Sequence, residues 1–331
     1  MSKVWIKRGL LASRITRLAG RLCQAQVVIL MYHSVLDQPE SEFVTLGRIM
    51  HSTEVFKKQM ELVCRDYAPV SMDDLFLFTQ GQKELPSRAV AVTFDDGYVD
   101  NHEVAAPILN RLGVPATFYI TVDCIETGRL PWPSRLRYAF LTTKRKSWID
   151  QSSRTWVLAS LSQREQAFLR ACDLCAALAG HVQEQFLLAV ETELEVDPTV
   201  RSEGAMMNWD HVRTLVAKGH IVGSHTMTHP NMAHVSDDQA EIEFLESKRR
   251  MERALGVPIV HFSYPCPALS PHWKESTVEL SREVGYRTAV TTNGGSVRRD
   301  DDPLRLHRAR PTKEVDGLHW NLECGFMGCT V

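Results

Sequence analysis

Val90-Ala91-Val92-Thr93-Phe94-Asp95-Asp96-Gly97 (VAVTFDDG) begins as a short, β-rich apolar run and stops abruptly on two carboxylates and a glycine. Such a run reads as a buried strand. Two adjacent carboxylates at its end are costly to bring together unless a cation or a proton compensates them. A divalent metal would do so, leaving one carboxylate to bind the ion and the other to take a proton from water. The bland alternative is a turn, which Asp-Gly pairs favour.

The same rhythm extends outward in both directions. Val27 to Tyr32 is a second apolar strand, ending at His33, and Thr53 to Arg65 has the inward Phe56, Met60 and Leu62–Val63 of an amphipathic helix. Asn101 to Leu112 is helical with Gly113 as its stop signal, and Pro115 to Val122 is the next strand. Further on, Trp209 to Lys218, Ser236 to Leu255 and Ser276 to Val284 read as helices, each followed closely by glycine. They alternate with strands at His220 to Ser224, Ile259 to Tyr264 and Thr288 to Thr292. Repeated strand–helix–glycine units predict a parallel α/β sheet, open or closed into a barrel. Residues 128–204 break the pattern with helix formers at Ser162 to Leu178 and Gln183 to Leu194, so a helical insertion, acting as a lid over a substrate groove, is expected there. One domain over 25–331 carrying this insertion is the simplest organisation.

Polar residues fall at the C-terminal ends of the predicted strands: His33, Asp95-Asp96, His225 and Tyr264-Pro265. In parallel α/β folds the loops that build active sites converge at that edge. His225 and His229 are four apart, so on a helical turn both imidazoles would face one cation.

Taken together, TFDDGY at 93–98, HTMTH at 225–229 and FSYP at 262–265, with YHSV at 32–35 and LHR at 306–308, resemble the polysaccharide deacetylases of the NodB homology domain, carbohydrate esterase family 4. The early Tyr32-His33 pair resembles the circularly rearranged branch of poly-N-acetylglucosamine deacetylases. The resemblance implies a distorted (β/α) barrel of about seven parallel strands that removes an N-acyl group, usually acetyl, from an amino sugar. It implies Asp95 as catalytic base, and Asp96, His225 and His229 as ligands of one divalent ion, zinc first, with cobalt, nickel, iron or manganese as alternatives. His33 becomes the general acid, ahead of His307, and the backbone N–H of Cys266 an oxyanion donor. Tyr264, Pro265, Cys266 and Leu306 are expected at the substrate. The chain departs from the family pattern in two places. Tyr264 stands where many members carry an arginine that orients the catalytic aspartate, and Pro267 stands for a glycine beside the oxyanion site. Competing readings are a carbohydrate-binding relative without catalysis, and a deformylase or esterase on the same metal site.

The remaining features bound the answer. Lys and Arg number 38 against 40 Asp and Glu, a net charge of -2, so no nucleic-acid partner is expected. Residues 1–24 place Ile6, Leu10, Leu11, Ile15, Leu18 and Leu22 on one helical face, with Lys3, Lys7, Arg8, Arg14, Arg17 and Arg21 around it. That helix could make peripheral contact with an anionic membrane through residues 3–22. No apolar run reaches 18 residues, and the arginines interrupt any secretory signal. A cytoplasmic protein touching the inner face of the membrane is the expectation. Cys172 and Cys175 form a lone CxxC within a helical stretch and read as small apolar residues. Trp132 and Trp209 read as core, His102 and His211 as surface, and Arg305, Arg308 and Arg310 as a solvated strand face.

Overall fold

A computed structural model describes residues 27–37, 49–197 and 204–329. The basic N-terminal helix, and with it the expected membrane contact, lies outside them. Strand β1 (Val27–Tyr32) is buried at every position, β2 (Ser34–Leu36) and β3 (Met50–Ser52) form a small parallel pair, and α1 (Thr53–Asp66) follows, with the Ser52 hydroxyl accepting from Val55 N–H as its N-cap. After β4 (Ala68–Val70) and α2 (Met72–Thr79) comes β5 (Ala89–Phe94), again buried throughout. A single π-helical turn, Asn101–Ala105, leads into α3 (Ala106–Leu112), which Gly113 ends at φ 67°. Strand β6 (Ala116–Ile120) and α4 (Val122–Thr127) complete the first half.

The insertion comprises α5 (Trp132–Thr142), β7 (Ser147–Ile149), β8 (Thr155–Val157), α6 (Leu161–Cys175) and α7 (Gly180–Glu193). It is therefore not wholly helical, as its composition suggested. The segments SWI and TWV pair as an antiparallel hairpin, placing Trp148 opposite Trp156. It has its own core of Trp132, Leu136, Phe140, Trp148, Phe168 and Leu187, and a buried ion pair, Arg135 to Glu191 at 2.8 Å. Cys172 and Cys175 are buried in α6, in keeping with the apolar reading. The alternation then resumes with α8 (Trp209–Ala217), β9 (Ile221–Ser224), α9 (Asp237–Leu255), β10 (His261–Ser263), α10 (Glu275–Glu283), β11 (Thr288–Val290) and α11 (Val315–Phe326).

The main sheet has seven parallel strands in the order β1-β5-β6-β9-β10-β11, with β4 beside the first half of β5. It curls into a half-barrel with helices around it. The segment after β11 bridges the two edges, pairing Leu306 with Val290 and Ala309 with Leu30. Because strand side chains alternate, one sheet face carries Val28, Leu30, Val90 and Val92 against the helices. The other carries Val27, Ile29, Ala89, Ala91, Tyr119, Val290 and Leu306 into the inside of the curl. Leu306 is thus core and not a substrate contact.

Candidate active site

Strand β5 delivers Asp95 and Asp96 to the top of the sheet, where the chain must turn sharply: Asp96 and Gly97 both sit at positive φ, 78° and 92°. Strand β9 delivers His225 beside them, its N–H donating to Ile120 O at 2.8 Å. The two histidines do not lie on a helical turn. Residues 225–229 form a loop in which Thr226 (φ 70°) and His229 (φ 61°) adopt left-handed conformations. The loop's own polar groups hold this shape. His229 N–H donates to Thr226 Oγ1 at 2.9 Å, while the buried Glu243 carboxylate on α9 accepts from Met227 N–H (2.8 Å), Thr228 N–H (2.9 Å) and the Thr228 hydroxyl (2.6 Å).

The insertion grips the same loop from the other side. Trp132 Nε1 donates to His229 O at 2.8 Å, Gly180 N–H to Thr228 Oγ1 at 3.2 Å, and Asn231 N–H to Ala176 O at 3.1 Å. Trp132 is buried, as read from sequence, and its indole positions His229 instead of offering a face to a sugar.

Asp96, His225 and His229 are all buried, and their ligand-type atoms lie within 4.8 Å of one another. Asp96 Oδ1 is 3.5 Å from His225 Nε2 and 3.3 Å from His229 Nε2, yet it has no hydrogen-bond partner. His225 Nδ1 is within 2.8 Å of Ser263 O, which leaves Nε2 for the centre. Two imidazoles and one carboxylate converging without bonding one another form a donor set that suits a divalent cation and leaves positions open. Burial pushes the Asp96 carboxyl up, but His225 and His229 beside it hold it well below the carboxylate range. Burial lowers His229, whereas for His225 the charges of Asp95 and Asp96 overcome it and raise the ring. We expect Trp132→Phe, which keeps an aromatic side chain but removes the donor to His229, to weaken metal binding by roughly tenfold or more. Chelator-competition titration measures this, and unchanged affinity would remove the indole from the site.

Asp95 is 1% exposed, and its partner is Arg308, which is fully buried. The guanidinium donates Nη1 to Oδ1 at 2.8 Å and Nη2 to Oδ2 at 2.7 Å, and is itself held by Thr291 O (2.9 Å) and Ser263 Oγ (3.1 Å). This corrects the reading of Arg308 as solvated, and it answers the question left by Tyr264: Arg308 supplies the orienting guanidinium from the segment that follows β11. Burial works to raise the Asp95 carboxyl, and the charges of Arg308 and His225 outweigh it, so the group lies below its ordinary value. His33 Nε2 stands 4.0 Å from Asp95 Oδ2, and burial lowers its pKa despite both aspartates.

These groups line one cleft of about 950 Å³. Its walls include His33, His51 and Met31 from the barrel, Pro133, Arg137 and Phe168 from the insertion, and Cys266, Pro267, Leu269 and Arg310 from the late loops. Cys266 therefore lies where a substrate contact was expected. Tyr264 and Pro265 do not line the cleft: the Tyr264 ring packs against Phe262 and Phe244, its hydroxyl donating to Ser281 Oγ at 3.3 Å. His307 also lies off the cleft, its Nδ1 near Gly294 O at 3.2 Å. His102 and His211 stack at 4.6 Å, away from it.

A carboxylate held ionised by a buried guanidinium, beside a two-histidine, one-carboxylate centre in an open cleft, has the layout of a metal-assisted hydrolase. Residues 82–169 and 178–289 match the sequence model of the polysaccharide deacetylase family, and the chain belongs to that family. It is accordingly a carbohydrate deacetylase of the NodB type, a hydrolase of amide bonds. YxkH of Bacillus subtilis (strain 168), itself assigned as a polysaccharide deacetylase, is 20% identical over 298 residues, 88% of this chain and 74% of that protein. The Streptococcus pyogenes deacetylase PplD, solved in complex with acetate, shares the fold at a TM-score of 0.61 with 17% identity, covering 91% of this chain and 99% of PplD. IcaB from Ammonifex degensii does so at 0.58 with 18% identity, covering 90% and 97%. Deacetylases of this family are metalloenzymes, and Asp96, His225 and His229 are the candidate site.

Proposed function

We propose that the chain removes the N-acetyl group from an amino sugar of a glycan or glycan precursor, using a single divalent ion, zinc, held by Asp96, His225 and His229. The observation that carries the reading is the convergence of these residues, from two strand ends and distant in sequence, with the Arg308-paired Asp95 on one cleft. When bound there, the ion would supply Lewis-acid activation of water and of the amide carbonyl. Asp95 accepts the proton of the attacking water; Arg308 keeps it ionised and fixes the direction of its lone pairs. His33, on the side of Asp95 Oδ2, donates a proton to the departing amine nitrogen. The N–H of Cys266, at the cleft wall, is the proposed donor to the developing oxyanion. The insertion walls one side of the cleft while anchoring the His225–His229 loop.

Chelation followed by zinc restoration tests the proposal. Acetate release from N-acetylglucosamine oligomers is expected to vanish and then return. Turnover indifferent to both treatments would sink the metal assignment, and cleavage of N-formyl or O-acetyl sugars without acetate release from the oligomers would redirect the substrate.

A further inference from the structure

His33 occupies the one-residue break between β1 and β2, where the chain leaves the main sheet. A side chain in such a break takes its direction from the backbone that carries it. Besides the strand pairings, four hydrogen bonds reach residues 32–35 from a single stretch, Asp95 to Asn101. Before the break, Asp95 N–H donates to Tyr32 O at 3.0 Å. At the break itself, Asn101 Nδ2 donates to His33 O at 2.6 Å. Beyond it, the Asp100 carboxylate accepts from the Ser34 hydroxyl at 2.6 Å and from Val35 N–H at 3.0 Å.

Both Asp100 and Asn101 are buried, and neither lines the cleft. Asp100 stands just before the π-helical turn Asn101–Ala105, yet it makes no capping bond there; its carboxylate is directed to β2 instead. Asn101 Nδ2 sits between two acceptors, His33 O and Asp100 Oδ1, the second at 2.9 Å. That fixes the sense of the amide, because the flipped group would set oxygen against oxygen twice. Its Oδ1 has no partner, so every bond the amide makes is toward the clamp. Burial pushes the Asp100 carboxyl up to about 6 against its three donors. An apolar side chain would fill the same space without that desolvation cost.

We infer that Asp100 and Asn101 are positioning residues for proton delivery, clamping the backbone on both sides of His33 and so setting its ring 4.0 Å from Asp95 Oδ2. The inference rests on the reading of His33 as general acid, and extends it to a pair that touches neither the cleft nor the metal ligands. Residues 95–101 thus supply the base, one ligand and the support of the acid, so the spacing of acid and base is set within one short segment. A proton donor acts on the departing amine only in the transition state, so displacing it lowers kcat and leaves KM alone.

The test measures acetate release from tetramers of N-acetylglucosamine by zinc-loaded wild type, Asn101→Ala, His33→Ala and the double variant, with single-turnover rates where turnover is slow. Asn101→Ala is expected to lower kcat about tenfold to hundredfold, with KM within about twofold and metal content unchanged. In the His33→Ala background the same change should cost less than about twofold, because the group it positions is gone. Asp100→Asn, which keeps the shape and one acceptor oxygen, should repeat the pattern at smaller size in both backgrounds. It carries the test if circular dichroism shows Asn101→Ala unfolded. An undiminished kcat in either folded variant would overturn the inference. An equal fractional loss with and without His33 would overturn it as well, making the pair a general support of the fold. Undiminished turnover in His33→Ala, or none in wild type, would instead remove the general-acid reading, and the clamp's role with it.

Discussion

Asp95→Asn is expected to retain its metal and lose turnover by about 10²–10⁴-fold, the usual worth of a positioned general base. Asp96, His225 and His229 are untouched by the change, so metal analysis should give the same content as wild type. The amide cannot accept a proton, and it also strips Arg308 of its counter-charge in a fully buried setting. Stability should therefore fall by about 3–5 kcal/mol, as when one partner of a buried pair is removed. Denaturation curves and circular dichroism establish that the variant is still folded when its acetate release is measured. Full activity in a folded, metal-loaded variant would exclude Asp95 from the reaction.

Arg308→Met carries the second large effect. It leaves Asp95 as a buried carboxylate with nothing to fix its direction, and a misdirected base costs on the order of 10²-fold in turnover. The pH dependence has a definite sign. In wild type the folded Asp95 pKa lies below its ordinary value, so its ion pair contributes stability that is fully present above the unfolded carboxylate pKa and is lost as pH falls through the folded one. Without Arg308 the largest charge opposing burial is gone, so the group rises and its ionisation near neutral pH contributes less stability. The gap between wild type and variant, measured on metal-free protein, should be widest near neutrality and narrow on acidification. Adding Asp95→Asn to Arg308→Met should recover most of the loss, because neither charge remains to be stranded. A gap that ignores pH, or a double variant no better than the single one, would mean that the pair does not govern this site.

The sheet and the four central side chains were legible in sequence because both rest on strong local signals. Apolar runs such as VVILMY and AVAVTF can be satisfied only by burial on both faces, and each ends at a turn whose polar residues have no place inside the sheet. Arg308 was misread because an arginine on a strand-like segment ordinarily faces solvent. Its position carries no periodic signal: Leu306 and Ala309 make only isolated bridges to the sheet, and Arg308 between them is drawn inward by tertiary partners, the Asp95 carboxylate and Thr291 O. Glu243 was missed for a similar reason. It sits on the inward stripe of α9 with Ala240, Phe244, Ser247 and Met251, where a carboxylate needs donors that only the folded His225–His229 loop provides. The mistaken helical turn at 225–229 and the misjudged Tyr264 share one cause: spacing specifies which residues neighbour each other, but tertiary hydrogen bonds choose the backbone path between them. The hairpin in the insertion was hidden because three-residue strands are too short for a periodic signal.

The clasp between the insertion and the histidine loop has a practical corollary for anyone reshaping this enzyme. Trp132, Ala176 and Gly180 each reach across to residues 228–231, so the insertion cannot swing away as a hinged cover without loosening the carbonyl of a proposed ligand. Grafting a foreign insertion to alter which sugars are accepted would have to reproduce those three fastenings. Otherwise the chimera would change its appetite for metal before it changed its taste in glycans.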